Sequence, residues 1–278
     1  MNTDLASERL SNAKQYSVSV VVPTYHEVQN LRPLVTRISS TIANAKRPYE
    51  IIIVDDDSGD GTDEAVRELK DRGYPIRLIT RIGERGLSSA VIRGFSEANG
   101  ETLVCMDADL SHPPEAIPTM LECLGEPGVD LVLGSRYVLG ASTDEQWGLL
   151  RWINSKIATA LARPLTSVKD PMSGFFSIPR TVYESAAPLD PVGYKIAVEL
   201  IVKCNCSEIR EIPIHFARRR FGKSKLTVRE RLNYLRHLNR LLRYKYHNFS
   251  PSVRVYSWRS DLWRRLTGIF RTGRSPDA

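Results

Sequence analysis

Two aspartates separated by one residue, Asp107-Ala108-Asp109, follow a short apolar run from Thr102 to Met106. Such a run reads as a buried strand, and buried carboxylates are costly unless they are paired or bound to a metal. At a strand end where the backbone turns, carboxylates at i and i+2 can reach one point in space. Two hard oxygen ligands on one point suit Mg²⁺ or Mn²⁺, which keep other positions for water and phosphate oxygens. The same residues also fit a solvated turn that caps a helix before Pro113-Pro114. The elements around them have to discriminate.

Those elements alternate. Ser17 to Val22 is a β-branched run closed by Pro23-Thr24-Tyr25-His26-Glu27, and helical spacing follows from Asn30 to Ala45. Glu50 to Val54 runs directly into Asp55-Asp56-Asp57-Ser58-Gly59-Asp60-Gly61-Thr62, and a helix continues to Arg72. Pro75 to Thr80 is a third strand, before a helix from Gly86 to Ala98. Thr102 to Met106 is a fourth strand, Pro114 to Leu124 a helix, and Val129 to Leu133 a fifth strand that ends at Gly134-Ser135-Arg136-Tyr137. Continuous apolar strands between helices predict an α/β fold whose mostly parallel sheet is covered on both faces. Ligands of such sheets bind beyond the carboxyl ends of the strands. Tyr25 to Glu27, Asp55 to Asp57, Asp107 with Asp109, and Arg136 all fall on that edge.

Beyond Arg136 the alternation weakens. Trp147 to Ala162 reads as a helix, Asp170 to Phe176 as a turn into a short strand, Lys195 to Lys203 as a helix, and Glu208 to Phe216 as an edge strand. Glu199 has an i, i+4 partner in Lys195. His112 and His215 read as structural. Cys204-Asn205-Cys206 offers two thiols with no second pair nearby, short of a zinc set. Neither a Gly-x-Gly-x-x-Gly after the first strand nor a Walker-type phosphate loop is present, which disfavours a dinucleotide dehydrogenase or an ATPase. Acidic groups on a sheet edge, with basic groups later in the chain, suit a nucleoside diphosphate bridged by a metal.

The motifs ending the first, second, fourth and fifth strands resemble those of inverting family 2 glycosyltransferases with the GT-A (Rossmann-like) fold, and more narrowly of dolichyl-phosphate (polyprenyl-phosphate) mannosyltransferases. Asp170-Pro171-Met172-Ser173-Gly174-Phe175, Gly193-Tyr194-Lys195-Ile196 and Arg219 to Leu226 support the narrower likeness, which covers residues 17–226. The resemblance implies that Pro23, Tyr25 and Glu27 hold the nucleoside, with Glu27 on the ribose. It implies that Asp56, with Asp55 beside it, reads the base; a carboxylate accepts two N–H donors and so suits guanine. Asp107 and Asp109 become ligands of Mg²⁺ or Mn²⁺ and of the diphosphate, with Ala108 between them. Arg136, Arg219 and Lys225 become the basic groups on the donor diphosphate and the acceptor phosphate. Asp170 is a candidate on the acceptor side and could equally cap its turn. Asp109 and Arg136 carry the catalytic expectation. His26 departs from the family, which usually has Asn there.

The implied reaction is mannosyl transfer from GDP-mannose to a dolichyl or polyprenyl monophosphate with inversion. UDP-glucose or another nucleotide sugar is the alternative donor, and a protein that only binds nucleotide sugar is a further alternative.

Charge is divided unevenly along the 278 residues. Residues 1–216 hold 22 Lys and Arg against 29 Asp and Glu, and residues 217–278 hold 17 against 3. The basic end suggests an anionic partner: a phosphate-bearing substrate, a membrane surface or nucleic acid. Leu226 to Tyr246 fits an amphipathic helix edged with arginine, and Trp258, Leu262, Leu266 and Ile269 share one face of a second segment. The expected organisation is a polar tail (1–16), a catalytic domain (17–226) and a basic amphipathic appendage at the membrane interface (227–278). The chain carries no charged-then-apolar leader and no run long enough to span a bilayer. It is therefore expected to reach its lipid as a peripheral protein on the cytosolic face, alone or with a small membrane-anchored subunit. Nucleic-acid binding by the basic tail is the reading from another class. It lacks a recognition motif and leaves the acidic edge unexplained.

Overall fold

β1 (Val18–Thr24) lies within the main sheet and shows how its sequence serves two faces at once. Val18, Val20 and Val22 join the core on one side, and Val21 joins the core on the other. The computed structural model describes residues 17–45, 47–144, 149–190, 192, 195–218 and 228–248. The N-terminal tail, Gly193, Tyr194, Arg219, Lys225 and the segment containing Trp258 to Ile269 lie outside the described residues.

In chain order β1 is followed by α1 (Val28–Asn44), β2 (Tyr49–Asp55), α2 (Thr62–Asp71), β3 (Ile76–Thr80), α3 (Leu87–Glu97) and β4 (Thr102–Cys105). A 3₁₀ turn (Pro114–Ala116) leads into α4 (Ile117–Leu124), then β5 (Leu131–Ser135), β6 (Ser142–Thr143) and α5 (Leu149–Ala162). After these come β7 (Phe176–Pro179), α6 (Arg180–Glu184), α7 (Ile196–Lys203), β8 (Ile209–Pro213), β9 (His215–Phe216) and α8 (Val228–Asn248). The seven-stranded sheet has the order β3-β2-β1-β4-β7-β5-β8. All pairings are parallel except those of β7, which runs antiparallel to β4 and β5. β6 pairs with β9 in a separate two-stranded ribbon.

Leu31, Leu34, Val35, Ile38 and Ile42 of α1, Val66 and Leu69 of α2, and Ile117, Met120 and Leu121 of α4 cover one face. Ala90, Val91 and Phe95 of α3, with Ile196, Ala197, Leu200 and Ile201 of α7, cover the other. The expected two-faced sheet is the sheet observed. Gly94 lets α3 approach closely, because a Cβ there would meet Val21 Cγ1 at 2.4 Å.

The expected edge strand Glu208 to Phe216 divides into β8, at the edge of the main sheet, and β9, in the ribbon; β6 and α6 were not expected. β5 runs on through Gly134 and Ser135 because β8 continues to pair with it, Ser135 opposite Pro213. The short strand after Asp170 is antiparallel because its chain arrives from a turn already at the carboxyl edge and must run back. That turn is pinned there by Ser173 Oγ on the Gly134 carbonyl (2.7 Å).

The chain divides into two units, residues 1–242 and 243–278. Tyr234, His237, Leu238 and Leu241 of α8 are buried.

Candidate active site

Strand register brings the chemistry-bearing residues level. Thr24 lies opposite Asp55, and Asp55 opposite Thr80. The segments after β1, β2 and β3 therefore leave the sheet at one height. Pro23 sits within β1, buried, opposite Val54.

Asp55 and Asp56 have separate duties. Asp55 is turned into its own loop: Oδ1 accepts from Thr24 Oγ1 (2.9 Å) and Ser58 Oγ (2.7 Å), and Oδ2 accepts from the Ser58 N–H (2.8 Å). Asp56 is buried against Arg81, which donates from Nε to Oδ1 at 2.7 Å and from a second guanidinium nitrogen. Its other oxygen accepts from the Gly86 N–H (2.8 Å). Arg81 also donates to the Gly86 carbonyl (3.0 Å) and to Ser89 Oγ (2.9 Å). Any base reading by Asp56 is thus shared with Arg81, which the motifs did not single out. The available signal is position, since Arg81 is the first residue after β3.

Half-buried Tyr25 stacks under the Arg85 guanidinium at 4.3 Å and accepts a hydrogen bond from it. Glu27 Oε2 accepts from Asn30 Nδ2 (2.6 Å) at the start of α1. His26 adopts a left-handed φ of 59°, and its N–H donates to Ser58 Oγ (2.9 Å). Asparagine tolerates that backbone especially well, which accounts physically for its usual presence there.

The acidic loop after β4 is held from within. Asp109 is buried, and its Oδ1 accepts from the Ser111 N–H (3.0 Å) and Ser111 Oγ (2.5 Å). The Asp107 N–H donates to His112 Nδ1 (3.2 Å). His112 is fully buried, stacked on Phe175 and edge-on to Phe216. Burial pulls its pKa below the ordinary histidine value, against the opposing charges of Asp107 and Asp109. With Nδ1 accepting from the Asp107 N–H and its ring packed between Phe175 and Phe216, His112 shapes the loop.

Asp107 Oδ1 is buried without a hydrogen-bond partner among the described residues. A buried anionic oxygen with no donor is costly, and a cation offsets that cost. Among the described residues no group of three or more His, Cys, Asp or Glu could hold a metal. The remaining ligands would be water and phosphate oxygens, which is how Mg²⁺ commonly binds and which suits Mn²⁺ as well. The residues present fit such an ion. Gly174 backs this carboxylate so closely that a Cβ there would lie 2.9 Å from Asp107 Oδ1.

Arg136 follows β5, and its side chain is 11% exposed while that of Asp170 is 0% exposed. Arg136 Nε donates to Asp170 Oδ2 (2.7 Å), a terminal nitrogen to Oδ1 (2.7 Å), and its backbone N–H to Oδ2 (3.0 Å). Burial pushes the Asp170 carboxyl up, but bonding to Arg136 and its charge outweigh that and hold it below the usual range. The guanidinium also lies 5.2 Å from the Phe216 ring centre. Asp170 is thus the clamp of Arg136.

Glu199, expected beside Lys195, bonds His237 of α8 through Oε2 (2.5 Å) and the Asp190 N–H through Oε1 (2.9 Å). His215 bonds Ser142 Oγ (2.8 Å) and lies 3.1 Å from Asp144 Oδ1, joining the β6–β9 ribbon in a structural role.

The sequence profile of glycosyl transferase family 2 matches residues 19–186. The chain belongs to glycosyl transferase family 2. This glycosyltransferase is 46% identical over 253 residues to the dolichol-phosphate mannosyltransferase of Mycosarcoma maydis, covering 88% of this chain and 86% of that protein. It is 43% identical over 236 residues to the enzyme of that name from Saccharomyces cerevisiae, covering 82% and 88%. With the Pyrococcus furiosus protein of the same name identity is 44% over 232 residues, covering 82% of this chain and 64% of that protein. Among solved structures, the glycosyltransferase resembles glucosyl-3-phosphoglycerate synthase from Mycobacterium tuberculosis in complex with Mn²⁺ and UDP-glucose. The TM-score is 0.59 at 19% identity, covering 86% of this chain and 82% of that one. The fold of the glycosyltransferase is therefore GT-A-like. No helix among its described residues is long and apolar enough to cross a membrane.

Proposed function

We propose that the chain transfers mannose from GDP-mannose to a dolichyl or polyprenyl monophosphate, inverting the anomeric centre, at a membrane surface. The observation that carries this reading is the pairing of a buried, unpartnered carboxylate oxygen on Asp107 with a clamped guanidinium on Arg136 at one sheet edge, in a chain 43–46% identical to dolichol-phosphate mannosyltransferases. Asp107 and Asp109 would hold Mg²⁺ or Mn²⁺, which neutralises the diphosphate as a leaving group.

The other roles belong to the protein. Tyr25 and Glu27 hold the nucleoside, and the Asp56–Arg81 pair lines the base. A lipid monophosphate is already anionic near neutral pH, so it needs no strong general base, unlike a sugar hydroxyl. The task is to bring two anionic phosphates together. Arg136 does this as a fixed positive charge, assisted by Arg219 and Lys225, and aligns the acceptor for in-line attack on the anomeric carbon. A single displacement gives a β-linked sugar from an α-linked donor. No general base is assigned, and Asp170 serves by holding Arg136.

A donor panel tests the proposal. GDP-mannose, GDP-glucose, UDP-glucose and UDP-N-acetylglucosamine are each incubated with polyprenyl phosphate and Mg²⁺ or Mn²⁺, and glycolipid is measured. GDP-mannose should be the preferred donor. Preference for a uridine nucleotide would overturn the donor assignment, and transfer from none of the donors would overturn the reaction.

A further inference from the structure

Arg136 is held by Asp170, and Asp170 is in turn held from outside the site. Glu211 lies on β8, opposite Leu133 of β5, three residues before Arg136. Its two carboxylate oxygens accept from two successive backbone N–H groups: Lys169 to Oε2 (2.7 Å) and Asp170 to Oε1 (2.9 Å). Each of the two N–H groups thus has a carboxylate oxygen of its own. This fixes the backbone orientation at 169–170 and hence the direction in which the Asp170 side chain leaves. All three hydrogen bonds resolved at the Asp170 carboxylate come from Arg136.

We infer that Glu211 is a positioning residue for Arg136, acting through Asp170. The inference rests on the phosphate-binding role given to Arg136 above. The turn that Glu211 anchors also carries Gly174, against the Asp107 carboxylate. One turn therefore sets the place of the basic group and backs the acidic one. Glu211 adds a tie from β8 to the Ser173–Gly134 bond that holds this turn on β5. A carboxylate outside the substrate site thereby governs the spacing between the charges that hold donor and acceptor. Misplacement of a reacting group by about 1 Å can cost roughly 100-fold in rate, so a small shift of the turn is enough to matter.

The test has two arms. In the full chain labelled with ¹⁵N-arginine, the Arg136 Nε–H signal is assigned by its loss in Arg136→Lys. Its exchange with solvent should be slow in the wild type and about tenfold faster in Glu211→Ala, because the carboxylate that protects it is no longer held in place. In the kinetic arm, Glu211→Ala should lower kcat/KM for polyprenyl phosphate about 10- to 100-fold at temperatures where the variant is folded, with a modest fall in Tm from the two lost hydrogen bonds. In the Arg136→Lys background the same substitution should cost less than about twofold further, since both act on one group. Glu211→Gln, which keeps one acceptor oxygen and sets an amide N–H₂ against the other backbone N–H, should fall between the two and serves if the alanine variant does not fold. Unchanged Arg136 exchange in a folded Glu211 variant, or fully multiplicative losses in the double variant, overturns the inference. Absence of mannosyl transfer by the wild type would instead overturn the proposed reaction, and the exchange arm would still decide the role of Glu211.

Discussion

Gly174 shows how tightly the acidic loop is fitted. A methyl group there would press on Asp107 Oδ1, backed by a turn that is itself bonded to Gly134. Gly174→Ala should reduce transfer about 10- to 100-fold through displacement of that carboxylate, with a smaller effect on Tm. Turnover and melting measured on the same preparation check this. Asp170 makes a second prediction, about pH. Its folded-state pKa is depressed by Arg136 against the effect of burial. A depressed carboxyl contributes stability that is fully present above its unfolded value, about 3.9, and is lost as pH falls through the folded value. Wild-type Tm should therefore drop below about pH 4, and Asp170→Asn, less stable at neutral pH, should show a shallower acid limb. Parallel acid limbs in the two proteins would contradict the pairing. The placement of Asp107 and Asp109 after β4 and of Arg136 after β5 could be read from the sequence, because each lies just beyond an apolar run. The long-range pairings around the site were not legible. Arg81 with Asp56, Asp170 with Arg136, and Glu211 with Asp170 are separated by 25, 34 and 41 residues. Such pairings leave no local periodicity.

Among the elements, the parallel strands could be read from composition, since burial on both faces demands continuous apolar runs. The direction of β7 could not. It depends on where the preceding turn is pinned, and Ser173 and Asp170 do that through long-range bonds. The attachment of α8 was equally hidden. Its periodicity announced a helix, yet its buried face is partly polar. His237 and Glu199 are each about 1% exposed and meet at 2.5 Å. Arg240 pairs with Asp190, whose N–H bonds Glu199, and Tyr234 donates to the Ala158 carbonyl of α5 (2.7 Å). Glu199→Ala leaves His237 without its acceptor in the core and the part-buried Asp190 N–H without its own. It should destabilise the protein by about 3–5 kcal/mol in denaturant melts. The Glu199→Leu/His237→Leu pair should recover the part of that loss due to His237, because no imidazole is then stranded, while the Asp190 N–H still lacks its acceptor. A single-variant cost near zero would show that α8 is held by its apolar contacts alone.

For the molecule as a whole, the asymmetry of charge remains the main pointer to its surroundings. Residues 1–216 carry a net of −7 and residues 217–278 a net of +14. An acidic sheet edge that would attract a metal repels phosphates, and the proposed reaction gives the later basic residues the task of offsetting that repulsion. Anionic lipid adds about 1 kcal/mol of attraction per basic group near its surface. The full chain should sediment with anionic vesicles more strongly than a chain truncated after Ser250, and high salt should narrow the difference. Equal partitioning would assign the basic end to another partner. The central claim, that the carboxylates after β4 organise transfer of mannose to a lipid phosphate, is tested most directly by glycolipid formation from GDP-mannose and polyprenyl phosphate at saturating Mg²⁺ or Mn²⁺, in the wild type and in Asp109→Ala. The account predicts transfer by the wild type, and a folded variant with turnover reduced by about 1,000-fold or more. Wild-type turnover by Asp109→Ala would contradict it.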